Sequence, residues 1–131
     1  MKVIAYGIRP SEKVILAQAN HKKHDITLIS NPLSTETAFY AQGKEAVIVF
    51  SASEVSEPVL ELLAKTGIKY IATHSNSLGP HVSEKGAAEQ HGILWANVTG
   101  PSNFRQEPTL EDLQQMATQT IGHLDNWQLL D

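Results

Sequence analysis

Cysteine is absent from the 131 residues, which removes a disulfide framework, a thiolate metal site and a cysteine nucleophile together. Neither sign of charge is concentrated. Lys and Arg number 10 against 14 Asp and Glu, for a formal net charge of −4. A basic stripe of the kind that grips nucleic acid is therefore missing, with Lys22 and Lys23 standing almost alone. No apolar run approaches the length of a membrane span, and the opening MKVIAYG lacks the long apolar stretch of a secretory signal. The expectation is a cytoplasmic protein with no nucleic acid and no membrane among its partners. Glycine is badly placed for one specific task. Its eight positions are 7, 43, 67, 79, 86, 92, 100 and 122, and no two are separated by a single residue. The G-x-G-x-x-G turn, whose glycines let a backbone approach a pyrophosphate, is nowhere in the chain.

What is present has the pattern of one α/β domain over residues 1–131. Short apolar runs rich in β-branched and aromatic residues, at 3–6, 26–29, 46–50, 70–72 and 93–98, suit strands buried on both faces of a parallel sheet. Helical stretches lie between them. The first, 11–21, has Ser11 as an N-cap candidate followed by the acidic Glu12. The second, 34–42, ends before Gly43. The third carries Ser56 as a cap, Pro58 in its first turn, Gly67 past its last, and Val59, Leu60, Leu62 and Leu63 on one face. The fourth, 83–91, closes at Gly92. Alternation of this kind predicts a flavodoxin-like, doubly wound five-stranded parallel sheet. An additional long C-terminal helix is expected over 109–128 across the side of the domain. There Leu110, Leu113, Met116, Ala117, Thr120, Ile121, Leu124 and Trp127 recur at helical spacing behind a Thr109–Asp112 capping pair.

The string YGIRPSEK at residues 6–13 resembles the opening YGIR-x-x-E of the D-lactate dehydrogenase group of D-isomer-specific 2-hydroxyacid dehydrogenases. The likeness continues in register through NPLSTETAFYAQGKEAVIVF and PVLELLAKTGIKYIAT to AAEQHGILWANV, over roughly residues 1–102. The segment TLEDLQQMATQTIGHLDNW is similar to the helix that returns to the substrate domain at the end of those enzymes. The resemblance thus implies the substrate, or catalytic, domain alone, with residues 103–108 joining its ends where a nucleotide-binding domain is lacking. NAD is the family's cofactor, and the arginine, glutamate and histidine of its chemistry come from the missing domain. The resemblance therefore implies no catalytic residue and no cofactor site in this chain. It assigns substrate contacts to two loops: Phe50, Ser51, Ala52 and Ser53 after the third strand, and Asn76, Ser77, Leu78 and Gly79 after the fourth. Asn76 stands where the family has arginine, Pro80-His81 replaces its following residues, and Pro101 falls where lactate enzymes often carry a tyrosine. The implied partners are a small carboxylate, a separate NAD-binding chain that completes a split dehydrogenase, or a second copy in a dimer.

Other chemistry-bearing residues have plainer explanations. His74 and His81 flank the second loop, a weak metal pair without a Cys or carboxylate nearby. His21 and His24, next to two lysines, read as a solvated helix end where cations favour the dipole. Ser51 and Ser53 lack a G-x-S-x-G elbow. Arg9 lies at the rim after the first strand, where a surface ion pair is the ordinary role. Trp95 and Trp127 are expected in or over the core. A phosphorylated receiver domain shares the fold, but Gly7-Ile8-Arg9 and Phe50-Ser51 offer none of its acidic residues.

Overall fold

The structure is a computed structural model that describes residues 1–49, 57–75, 89–99 and 110–130. Five strands form one parallel sheet: β1 (Lys2–Tyr6), β2 (Asp25–Leu28), β3 (Ala46–Val49), β4 (Tyr70–Ser75) and β5 (Leu94–Thr99). Their spatial order is β2-β1-β3-β4-β5, the doubly wound order expected from the alternation of strands and helices. Val3 pairs with both Ile26 and Ala46, and Tyr70 with both Ala46 and Leu94, so the register runs level across the sheet.

Strand periodicity divides the core into two layers. Val3, Ala5, Ala46, Ile48, Tyr70 and Ala72 face one side, where they pack against α1 (Pro10–Asn20) and α3 (Leu110–Leu130). Ile4, Tyr6, Val47, Val49 and Ile71 face the other, under α2 (Glu57–Lys65) and a short 3-10 turn at Ala38–Ala41. All four residues of β3 are buried, as the continuous run AVIV demands of a central strand.

Helix α1 starts earlier than its sequence suggests. Arg9, not Ser11, is the N-cap, because Pro10 fits the first helical position, where a missing N–H costs nothing. Helix α2 ends as Gly67 predicts. With Gly67 at φ +97, Ile68 N–H donates to Leu63 O (3.1 Å) and Gly67 N–H to Ala64 O (3.2 Å), the two bonds of a Schellman stop.

The helix expected at 34–42 does not form; its span holds a turn and the 3-10 segment Ala38–Ala41. The Thr37 hydroxyl accepts from Ser34 N–H (2.9 Å) and donates to Pro32 O (2.8 Å), local bonds that compete with helix propagation. Of the fourth expected helix, only the helical end at residues 89–90 falls within the described residues. The long last helix packs on one side of the domain, as expected. It lies in the same layer as α1 and buries Met116, Ala117, Thr120, Ile121, Leu124 and Trp127, while Tyr70 stacks on Trp127 with centroids 4.9 Å apart and planes 12° from parallel. No helix among the described residues is long and apolar enough to cross a membrane.

Candidate functional site

Open parallel sheets collect ligands beyond the carboxyl ends of the strands, where neighbouring connections leave in opposite directions. Here that boundary lies between β1 and β3. From β1 the chain passes through α1 to β2 on one side, and it then returns across β1 to β3. Tyr6 and Val49, the last residues of the two strands, are register partners.

The turn after β1 is held firmly. Gly7 adopts φ +69, a left-handed conformation that favours glycine, and its N–H donates to Asn31 O (2.8 Å). Ile8 N–H donates to Ile29 O (3.2 Å), and the Ile8 side chain is buried. Arg9 then sits in extended backbone at the head of α1 with its side chain 63% exposed. The Glu12 carboxylate accepts the Arg9 backbone N–H at 3.2 Å and stands 4.0 Å from its Nε. Burial pushes the Glu12 carboxyl above its ordinary range, while the Arg9 N–H and then the Arg9 charge pull it part of the way back. Beneath the turn the Tyr6 hydroxyl donates to Thr37 O (2.7 Å), and burial drives its ionisation far up. Tyr6 is thus a locked core phenol rather than a proton donor for chemistry.

Phe50, Ser51, Ala52 and Ser53, and likewise Asn76, Ser77, Leu78 and Gly79, lie outside the described residues, as do His81, Pro101 and the joining segment 103–108. The strands leading to the two loops are neighbours. Val49, immediately before the first loop, pairs with Thr73, and β4 continues to Ser75, immediately before the second. Strand β4 is longer than the run 70–72 suggested, because Thr73, His74 and Ser75 extend the pairing with β5 as far as Thr99.

One interaction escaped the sequence reading. His24 is not a solvated helix end. Its side chain is fully buried, its Nε2 lies 2.8 Å from Asp125 Oδ1 on α3, and Lys23 Nζ lies 3.6 Å from the other oxygen of that carboxylate. The Asn20 side chain brackets the His24 backbone, accepting its N–H (3.0 Å) and donating to its O (2.9 Å). Nothing local marks this pairing, since the partners are 101 positions apart. The hydrogen bond from His24 is the chief cause holding the Asp125 carboxyl below its ordinary range. A histidine beside a carboxylate has the ingredients of general-base chemistry, but His24 precedes β2 and so lies at the amino edge, opposite the β1–β3 boundary. Its role is to clasp α3 onto the domain. Among the described residues no three His, Asp or Glu side chains gather as a metal site.

A dinucleotide does not suit the first β–α turn. A pyrophosphate at a helix N-terminus needs several glycines and free backbone N–H groups. This turn offers Gly7 alone, Pro10 has no N–H to give, and the Glu12 carboxylate already occupies the head of the helix.

No protein-family model matches the chain. Curated relatives do. The D-specific alpha-keto acid dehydrogenase of Enterococcus faecalis is 35% identical over 94 residues, covering 71% of this chain and 28% of that protein. The D-lactate dehydrogenase of Streptococcus pyogenes is 32% identical over 126 residues, 95% of this chain and 37% of the relative. Among solved structures, apo D-lactate dehydrogenase from Escherichia coli superposes with a TM-score of 0.68 at 33% identity, over 75% of this chain and 31% of that one. The chain therefore spans only about a third of the length of the proteins it matches.

Proposed function

This chain is homologous to the D-lactate and D-2-hydroxyacid dehydrogenases over about 75% of its length, and from that premise we propose that it is a substrate-binding domain of that type, which holds a small carboxylate such as a 2-keto acid and does not by itself transfer hydride. The observation that carries this reading is a substrate-domain fold whose sequence lacks the glycine-rich turn that cradles a dinucleotide. The β1–β3 boundary has the architecture of a ligand crevice, yet the chain has no G-x-G-x-x-G and its first β–α turn is closed to a pyrophosphate by Pro10 and Glu12. Phe50, Ser51, Ala52 and Ser53 on one loop and Asn76, Ser77, Leu78 and Gly79 on the next form the proposed substrate contacts. Backbone N–H groups of the second loop would receive the carboxylate.

Reduction of a 2-keto acid needs a reduced nicotinamide against the carbonyl carbon and a proton donor at its oxygen. Neither is assigned to a residue of this chain. Titration of the purified chain should therefore give pyruvate binding without NADH binding, and mixing the two should leave NADH absorbance unchanged. Tight NADH binding, or steady NADH oxidation by the chain alone, would refute the proposal.

In a second reading, which starts from the same homology, a separate NAD-binding chain docks here to complete a split enzyme. Affinity purification from the native cells, with assay of the eluate for pyruvate reduction, separates the two. An active eluate containing a dinucleotide-binding partner supports the split enzyme, and an inactive eluate of this chain alone opposes it.

A further inference from the structure

The strand order exposes one cation that neither loop assignment includes. Lys2, Lys22, Lys23, Lys44, Lys65 and Lys69 all lie at or beside the amino ends of the strands, by their positions at the first residue of β1, just before β2, β3 and β4, or at the end of α2. The carboxyl edge is left, among the described residues, with Arg9 in the turn after β1 and Lys13 one turn into α1. Arg9 follows Tyr6 by three positions, so it lies at the carboxyl edge, in a turn that starts from one of the two strands of the boundary where ligands collect.

We infer that Arg9 grips the carboxylate of the small acid at the β1–β3 boundary, and that Glu12 fixes the backbone from which the arginine projects. The inference rests on the functional reading above and adds to it the residue that makes the site select an anion. Two observations support it. The Arg9 side chain is 63% exposed, and its ion partner, Glu12, lies only at the 4.0 Å limit of contact. A pair joined by one such long contact, with its arginine open to solvent, holds its cation weakly and yields readily to a better partner. A ligand carboxylate can take the guanidinium through two parallel N–H···O bonds, which Glu12 at this distance does not. Lastly, the turn is rigid where it matters. Gly7 and Ile8 are hydrogen-bonded to the chain after β2, and the Arg9 N–H is bound to Glu12, so the arginine is presented from a fixed backbone.

The test titrates the purified full chain with pyruvate and with pyruvamide, its uncharged analogue, and repeats both with Arg9→Gln, Arg9→Lys and Glu12→Gln. Loss of one charge-assisted pair predicts pyruvate binding about tenfold weaker in Arg9→Gln, with pyruvamide binding unchanged. Arg9→Lys should recover part of the loss as a point charge. Glu12→Gln, which keeps an acceptor for the Arg9 N–H but removes the competing charge, should bind pyruvate at least as tightly as wild type. Pyruvate binding undiminished in Arg9→Gln, or an equal loss for acid and amide, would overturn the role of Arg9 alone. Failure of the wild-type chain to bind pyruvate at all would overturn the functional reading and this inference with it.

Discussion

Asp125 is where a single side chain ties the last helix to the beginning of the chain. Its carboxylate takes the hydrogen bond of a fully buried His24 and lies near Lys23 as well, and these contacts lower its ionisation. An acid whose folded-state pKa is depressed contributes stability above its unfolded pKa and loses it as pH falls through the folded value. Wild type should therefore lose part of its stability on acidification through and below the ordinary aspartate range. Asp125→Asn should be less stable near neutrality and converge with wild type in acid. Urea midpoints of both proteins across that pH range check this, and parallel curves would mean that the clasp carries no weight. A histidine beside two lysines at a helix end most commonly stands in solvent, and nothing local in the sequence sets His24 apart from that case. Burial of the ring is decided by a helix more than a hundred residues away.

At the scale of the element, helix stops proved more legible than helix starts. Gly67 ended α2 as its position implied, since a left-handed residue in that place is strained for anything with a Cβ. Ser11 lost the cap of α1 to Arg9 because Pro10 could enter the first turn, and the 34–42 helix was lost to the hydroxyl bonds of Thr37. Gly122 is the remaining weakness. It lies within α3 with nothing within 4 Å of where a Cβ would stand, so it brings the backbone entropy of glycine without any close approach to justify it. Gly122→Ala should stabilise the protein by about 0.5–1 kcal/mol, read as a higher urea midpoint with an unchanged slope. A loss of stability would indicate a neighbour against the helix at that point.

Across the whole molecule, α3 is structural rather than peripheral. With α1 it packs on one face of the sheet, and Leu124, fully buried, sits in that layer with Ile121 and Trp127. Removal of its side chain leaves a cavity that the strands beneath cannot fill, so Leu124→Ala should cost about 2–5 kcal/mol. Leu129, 84% exposed on the same helix, should tolerate alanine within about 0.5 kcal/mol. Chemical denaturation of the pair checks the contrast. Equal effects would mean that α3 does not pack as described.

The layers were legible in the residues alone. Short continuous apolar runs rich in β-branched residues suit strands covered on both sides, and the connecting segments must then cross over the sheet, which sets the fold class; the kinship with the dehydrogenases was carried by the strings from YGIRPSEK onward. The lack of a glycine-rich cradle for a pyrophosphate was legible there too. Tertiary structure alone decided the neighbours: which strands stand at the ligand-collecting boundary, which cations among the described residues lie at that edge, and that His24 meets Asp125. The physical reason is range. Propensity, capping and periodicity act within one or two turns of chain, whereas strand order and buried polar pairs depend on residues that approach only after the sheet has closed.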